Sequence, residues 1–337
     1  MPERATVQQI IQLGVEATPG TAVPATRRLG SMTIKPKIVV DTTMFRPAGL
    51  KYATVQALNK EWAEFDAEGQ PTYEEIIVPL NGVATVGTIS QVMDGATSTG
   101  AYEHLFSPSS SAPDSPKTYT LEHGQAGLQA ESFTHALFTD LGLTIKRSGV
   151  SLKGNGFARR ATTAITPTAG LAVPAALTPI LPGQFSVYLD TTAAALGTTR
   201  LTRLVTADPK LGGRYNPSWF VDSSQASFTT FVETPADSTA KVVVEADAVG
   251  MGLLGNLRAG DTRFLRLEAT GPVIYNAGVQ LNLPHLFRWD MAIKIEDVDQ
   301  WSDEDGIYAI PFTFTPVHDP VAGWAHRLLV RNKVPTL

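Results

Sequence analysis

Bulky apolar residues recur at every second position over much of this chain, the period of a strand with one buried face. Tyr308, Ile310, Phe312 and Phe314 alternate with Ala309, Pro311, Thr313 and Thr315. Met291, Ile293 and Ile295 alternate with Ala292, Lys294 and Glu296, and Leu141, Leu143 and Ile145 with Gly142, Thr144 and Lys146. Val150 and Leu152 resume the pattern after Arg147-Ser148-Gly149, which reads as a hairpin turn. Pro311 has no N–H to give to a ladder, so an edge or a bulge is expected in its strand. Further strands are predicted over residues 33–40, 52–64, 185–189, 201–205, 227–233, 241–245 and 264–268.

Helix signals are few. Thr72-x-x-Glu75 has the spacing of a capping box and precedes Ile76, Ile77 and Leu80, with Pro79 expected to shorten or distort the end. A second helix is predicted over 246–258, although Gly250, Gly252 and Gly255 lower its propensity. Three stretches read as irregular: 17–29, 98–117 and 161–182, all rich in Thr, Ser, Ala or Pro. The last serves as a linker between a β half over 31–160 and a second over 183–326, with terminal arms at 1–30 and 327–337. Each half offers strands and one short helix, a pattern compatible with a duplicated or inserted unit, although the halves do not align residue by residue.

Composition narrows the classes. Of 337 residues, 43 % are apolar and 18 % charged, enough to build a core. The absence of cysteine excludes disulfides and thiolate metal sites. A net charge of −5 with no basic stripe gives no footprint for gripping phosphates. Arg27–Arg28 and Arg159–Arg160 are isolated pairs, expected to be solvated or to bridge subunits. The opening MPERATVQQIIQLGVE does not read as a signal peptide, and no apolar run of about 18 residues predicts a membrane helix.

The sequence carries no Gly-x-Ser-x-Gly elbow, Walker loop, His-Glu-x-x-His or dinucleotide-binding glycine turn. Gly154-Asn-Gly156 lacks the third glycine and reads as turn chemistry. The six histidines show no local ligand spacing, so neither metal nor cofactor is expected. The acidic run Asp297, Asp299, Asp303, Glu304, Asp305 fails the calcium-loop pattern, because Trp301 and Phe312 would fall on the first and last ligand positions. It reads as an exposed turn between strands, and in a channel its carboxylates would repel phosphates. The five tryptophans serve either as core and subunit anchors or as a sugar platform. Paired carboxylates for glycoside hydrolysis would meet only in the fold.

Four stretches occur in a telling order: Gly14-x-Glu16-x-Thr18-Pro-Gly20-Thr21-Ala22-Val23, Glu68-Gly-Gln-Pro-Thr-Tyr-Glu-Glu75, the strand-rich 134–154 with Arg147-Ser-Gly-Val150, and Phe314-Thr-Pro-Val-His-Asp-Pro320 followed by Val330-Arg-Asn-Lys333. Together they span nearly the whole chain and resemble the major tail tube proteins of long-tailed, siphovirus-type bacteriophages. The resemblance implies a mainly β fold, a β-sandwich or split barrel with one or two short flanking helices, whose strands join a ring-wide β-barrel. It implies a non-enzymatic subunit of the virion, assembled in the host cytoplasm into stacked rings around a lumen. Rings would be hexameric, or trimeric if the halves are duplicated. DNA would pass through without specific binding, and tape-measure, tail-tip and tail-terminator proteins would be the other partners. Ring-to-ring contacts would then fall in 1–29, 98–117 and 327–337, with Arg27, Arg28, Arg331 and Asn332 as candidates. Residues 62–68 would lie in a long strand near the ring, and the acidic run would face the lumen. The rival expectation is a carbohydrate-binding β-sandwich adhesin of a phage tail.

Overall fold

A computed structural model describes residues 9–125, 130–174, 176–222, 226–277, 282–304 and 306–337. The strands and helices are β1 (Gln9–Val15), β2 (Arg27–Arg28), β3 (Met32–Phe45), β4 (Val55–Gly69), α1 (Ile77–Val83), β5 (Thr88–Asp94), β6 (Thr97–Phe106), β7 (Tyr119–Gln125), β8 (Ala130–Lys146), β9 (Gly149–Ala158), β10 (Ala161–Ile165), β11 (Phe185–Asp190), β12 (Leu204–Leu211), β13 (Tyr215–Ser218), β14 (Thr230–Glu233), β15 (Thr239–Glu245), α2 (Ala248–Ala259), β16 (Arg263–Asn276), β17 (Asn282–Val298), β18 (Ser302–Glu304), β19 (Ile307–Pro316) and β20 (His326–Asn332). The protein is mainly β, with large antiparallel sheets that do not close into a barrel, as in a β-sandwich.

Two 17-residue strands organise it. One edge of β8 takes β9 and then β10, while its other edge is shared between β12 and β7. One edge of β17 takes β16, and its other edge is shared between β20 and β19. At each of these strands the sheet therefore divides into two layers. The first layer runs β11-β16-β17-β19-β15-β12-β8-β9-β4-β3, and the second is built from β20-β6-β5 and β7-β1-β2. Every residue of α1 is buried, and the helix packs on β8 and β6. The main apolar core spans both halves of the chain, from Leu13 and Phe138 to Trp289 and Phe314, with smaller clusters around Phe228 and Phe264.

Apolar alternation drives this arrangement. Val242 and Val244 of β15 and Phe312 and Phe314 of β19 lie at 4 % exposure or less. Their interleaved neighbours turn to the opposite face. The turn of the β8–β9 hairpin is two residues, Arg147 and Ser148, with Lys146 opposite Gly149. Pro311 lies in an internal strand rather than at a sheet edge. It faces Val243, and on its other side β17 gives way to β18, where the Asp299 N–H donates to the Pro311 carbonyl at 3.1 Å. The missing donor falls at that discontinuity.

Several expectations need correction. Residues 73–76 form turns, and α1 begins at Ile77, so Pro79 lies in the first turn, where its N–H would lack an intrahelical acceptor anyway. The Thr72 hydroxyl does accept the Glu75 N–H at 3.3 Å. The Glu75 carboxylate does not complete the box. It accepts the N–H groups of Gly30 and Ser31, both at 2.8 Å, and the Ser31 hydroxyl. The stretch 98–117 is irregular only after Phe106. Within the described residues of the terminal segments, β1 pairs with β7 and β20 pairs with both β17 and β6. The stretch 161–182 is bound into the fold: Thr168 donates to Glu122, the Thr178 N–H to Glu74, and Ile180 is fully buried. No helix among the described residues is long and apolar enough to cross a membrane.

Candidate functional site

The opening motif has a structural cause. Thr18-Pro19-Gly20-Thr21 is a β-turn, with the Thr21 N–H donating to the Thr18 carbonyl at 3.0 Å and Gly20 at φ +83°. Pro at the second position and Gly with positive φ at the third are what a type II turn demands. Gly14 is required because a Cβ there would lie 2.4 Å from the Pro24 carbonyl oxygen. Between them Glu16, 6 % exposed, is a hub. Its carboxylate accepts the Gly20 N–H at 2.7 Å, the Thr118 hydroxyl at 2.8 Å, the Thr120 hydroxyl at 3.0 Å and the His135 N–H at 2.8 Å. His135 sits at φ 54°, a conformation uncommon outside glycine, in the middle of β8. The buried carboxylate thus joins the first turn, the start of β7 and an irregularity in β8.

Of the candidate inter-ring residues, Asn332 and Arg331 have side chains engaged within the chain. Asn332 is fully buried, donates to the Tyr73 carbonyl at 2.6 Å and accepts the Val334 N–H at 2.9 Å. That removes it from any outer surface. Arg331 faces its cross-strand neighbour Glu103, with its Nε 2.9 Å from the carboxylate. Arg27 and Arg28 pair with β1 at a half-buried position. Burial pushes Arg27 below the ordinary guanidinium range, partly offset by Glu75. Arg159 donates from Nε to the Phe228 carbonyl at 3.0 Å, and Arg160 pairs with Glu61 at 2.9 Å.

The acidic run caps the β17–β18–β19 hairpin. Asp299 pairs with Lys241 at 2.8 Å, and Asp303 accepts the Gly306 N–H at 2.6 Å. Asp297, Asp303 and Glu304 meet no Lys or Arg among the described residues. Asp305 lies outside those residues. Trp301, Ile307 and Tyr308 are exposed beside the carboxylates, at 56 %, 47 % and 70 %.

Among the described residues, two concavities bear on function. A cleft of about 840 Å³ lies between the loop after β6, strand β14 and the start of β20. On its wall Arg214, 4 % exposed, donates to the Ala84 carbonyl at 3.0 Å, to Asp114 and to Glu233 at 2.6 Å. His326 lines the same cleft, and burial, then the Arg214 cation, lowers its pKa to about 4. The second is a groove of adjoining depressions, about 320 and 280 Å³, on the outer face of β4, β9 and β8. It is lined by Trp62, Glu64, Asp66, Asn155 and Lys153 among others. Gly154-Asn155-Gly156 lies here in strand β9, not in a turn. A Cβ on Gly156 would meet the Leu137 carbonyl at 2.2 Å, so close strand approach explains the glycine.

Ring contacts bring together only Trp62 and Trp219 of the five tryptophans, 5.4 Å apart and edge-on, with Lys60 over Trp219. Trp289 is fully buried and Trp324 packs on Phe264. No group of three or more histidine or acidic residues is placed to hold a metal among the described residues.

The strands expected over 33–40 and 52–64 continue past the core as one long hairpin. Beyond Lys37 no residue of β3 is buried, and none of β4 before Ala63. The hairpin therefore leaves the body as an arm, about 23 Å from Ile38 to Phe45 at strand rise. Ile38, Val40, Met44, Phe45, Leu50, Tyr52, Val55 and Leu58 are between 42 % and 82 % exposed on it. Its signal in the sequence is the loss of alternation: Ile38-Val39-Val40 and Met44-Phe45 are apolar on both faces.

Comparison with protein-family models and with curated proteins finds no match to this chain.

Proposed function

We propose that this protein is a non-enzymatic structural subunit of a bacteriophage tail tube, self-assembling into stacked rings that conduct DNA. The observation that carries this reading is a wide antiparallel sheet left open at its margins. Among the described residues, β3 and β5 each pair along one edge only, whereas the equally terminal β11 is covered by bonds from 199–201. Open edges are templates for pairing with another chain, and closed assembly removes them. The ordered sequence stretches that resemble tail tube proteins support the same reading. The matching split of β8 and β17 supports an internal duplication, for which three copies rather than six complete a ring. Tape-measure, tail-tip and tail-terminator proteins are the remaining partners in this proposal, and the working location is the virion.

A carbohydrate-binding role is favoured by one observation, the groove that places Trp62 beside Glu64, Asp66 and Asn155. Negative-stain electron microscopy with analytical ultracentrifugation separates the two. Rings or tubes with a central hole wide enough for a DNA duplex are expected. A stable monomer or dimer that binds a glycan refutes the tube.

A further inference from the structure

Resting on the tube reading, we propose that the β3–β4 arm of one copy docks on the β17–β18–β19 hairpin of the next copy. The two surfaces are complementary in charge. The arm, residues 38–60, carries Arg46, Lys51 and Lys60 against the single carboxylate of Asp41, while 296–304 carry Glu296, Asp297, Asp299, Asp303 and Glu304 and no basic side chain, Asp299 being paired with Lys241. Both are apolar as well. Met44, Phe45, Leu50 and Tyr52 stand out on the arm, and Trp301, Ile307 and Tyr308 on the acidic hairpin. The Trp301 and Tyr308 rings already touch edge-on, 6.2 Å between centroids, so that face is pre-arranged.

The arm needs a cover that its own chain does not supply. Among the described residues, the hydrogen bonds of 42–59 stay within the hairpin. A two-stranded ribbon without a packed face is marginal in water. The arm's eight exposed apolar residues are divided between its two faces, since neighbours such as Met44 and Phe45 point opposite ways along a strand, and a neighbouring copy covers one of those faces. The acidic hairpin of the same chain does not cover the arm, whose apolar residues stay exposed and whose hydrogen bonds reach no residue of β17, β18 or β19. Joining two different patches of identical chains is a heterologous contact, which propagates into a ring or a stack rather than stopping at a dimer. The acidic run then serves as the acceptor of an arm and not as a lumen lining.

The chain has no cysteine, so an introduced pair reports the contact alone. A Tyr52→Cys protein is mixed with a Tyr308→Cys protein under mild oxidation and the disulfide-linked dimer is quantified on a denaturing gel. The mixed disulfide is expected at least ten-fold faster than that of either protein alone. Arg46→Glu with Lys51→Glu on the first protein, or Asp303→Lys with Glu304→Lys on the second, abolishes the preference. Combining both reversed proteins restores it, a rescue that misfolded variants cannot give. Equal rates for mixed and single proteins, or no rescue, overturn the proposal. Tubes in micrographs without selective linkage overturn this contact and leave the tube reading intact. Selective linkage in a chain that never forms rings keeps the contact and removes the tube.

Discussion

Glu16→Ala tests whether the opening motif is a staple. The substitution strips an acceptor from four donors, two backbone N–H groups and two hydroxyls. The Thr118 and Thr120 hydroxyls can rotate towards other acceptors. The His135 N–H cannot, because the residue is 1 % exposed and fixed in β8. A hydrogen bond to a charged group contributes about 1.5–3 kcal/mol, and a buried donor left alone costs about 1–3 kcal/mol. Release of the glutamate rotamers returns about 1–2 kcal/mol. The net loss is then about 3 kcal/mol. Unfolding entropy near 2.1 cal/mol/K per residue gives about 0.7 kcal/mol/K for a chain of this length, so Tm should fall by roughly 4 °C.

Glu16→Gln keeps the shape but offers one carbonyl oxygen to the donors and turns an amide N–H₂ towards the others. Its loss should be intermediate, about half as large. Circular dichroism melts of the three proteins rank them, and amide exchange at His135 should accelerate in the order wild type, Gln, Ala. A Tm change below 1 °C in Glu16→Ala, or unchanged exchange at His135, refutes the staple.

Acid should destabilise the fold through His135 and His326, each held neutral with a pKa lowered to about 4, mainly by burial. A base depressed in the folded state binds its proton more readily when unfolded. Its contribution is therefore complete above pH 6.5, lost progressively from 6.5 to 4, and on the order of 3 kcal/mol per histidine. Urea midpoints at pH 7, 6, 5 and 4 should fall steeply. A His135→Gln, His326→Gln double variant that keeps the same slope refutes the assignment. Arg214→Met leaves Asp114 and Glu233 without their shared cation and should cost about 3–5 kcal/mol, with faster proteolysis in 107–118; wild-type cleavage rates would contradict it. Gly156→Ala should cost about 1–3 kcal/mol by overpacking. In contrast, Gly252→Ala in α2, with open space around a Cβ, should gain about 0.5–1 kcal/mol; paired melts decide, and a tolerated Gly156→Ala counts against the close approach.

Where alternation was strict, the sequence predicted the strands: β8, β9, β17 and β19 follow their apolar rows. It underestimated their length, because the ends of β16 and β17 project beyond the core, where burial no longer demands a pattern. Thr72 and Glu75 show why the helix start was misplaced. The spacing of a capping box was present, but the carboxylate is satisfied by Gly30 and Ser31, 44 or 45 residues away, a partner that local spacing cannot reveal. Asn332 shows the same limit, since a polar residue near the chain end reads as surface until Tyr73 claims its amide. For the candidate surfaces, the acidic hairpin was visible because its charges are consecutive. The arm was missed because apolar residues without alternation resemble any core strand, and only solvent on both sides distinguishes them.

The protection of β3 changes along its length. Next to the body its open edge carries Lys35, Pro36 and Lys37, and charged side chains and proline are the devices that discourage a foreign strand. Lys35 also pairs with Glu68 at 3.1 Å, holding that segment to its own sheet. Beyond Lys37 those devices cease: from Ile38 to Phe45 the only charge is Asp41. If exposure of the arm were incidental, charges would be expected along all of it, because solvent reaches both faces. Protection at the root combined with an apolar tip fits a chain that blocks random pairing at its sheet edge and leaves one projecting surface free to associate. Arg46, Lys51 and Lys60 outnumber Asp41 on the arm, so a second arm is disfavoured and an acidic acceptor favoured, which makes head-to-tail contact between copies the lower-energy arrangement.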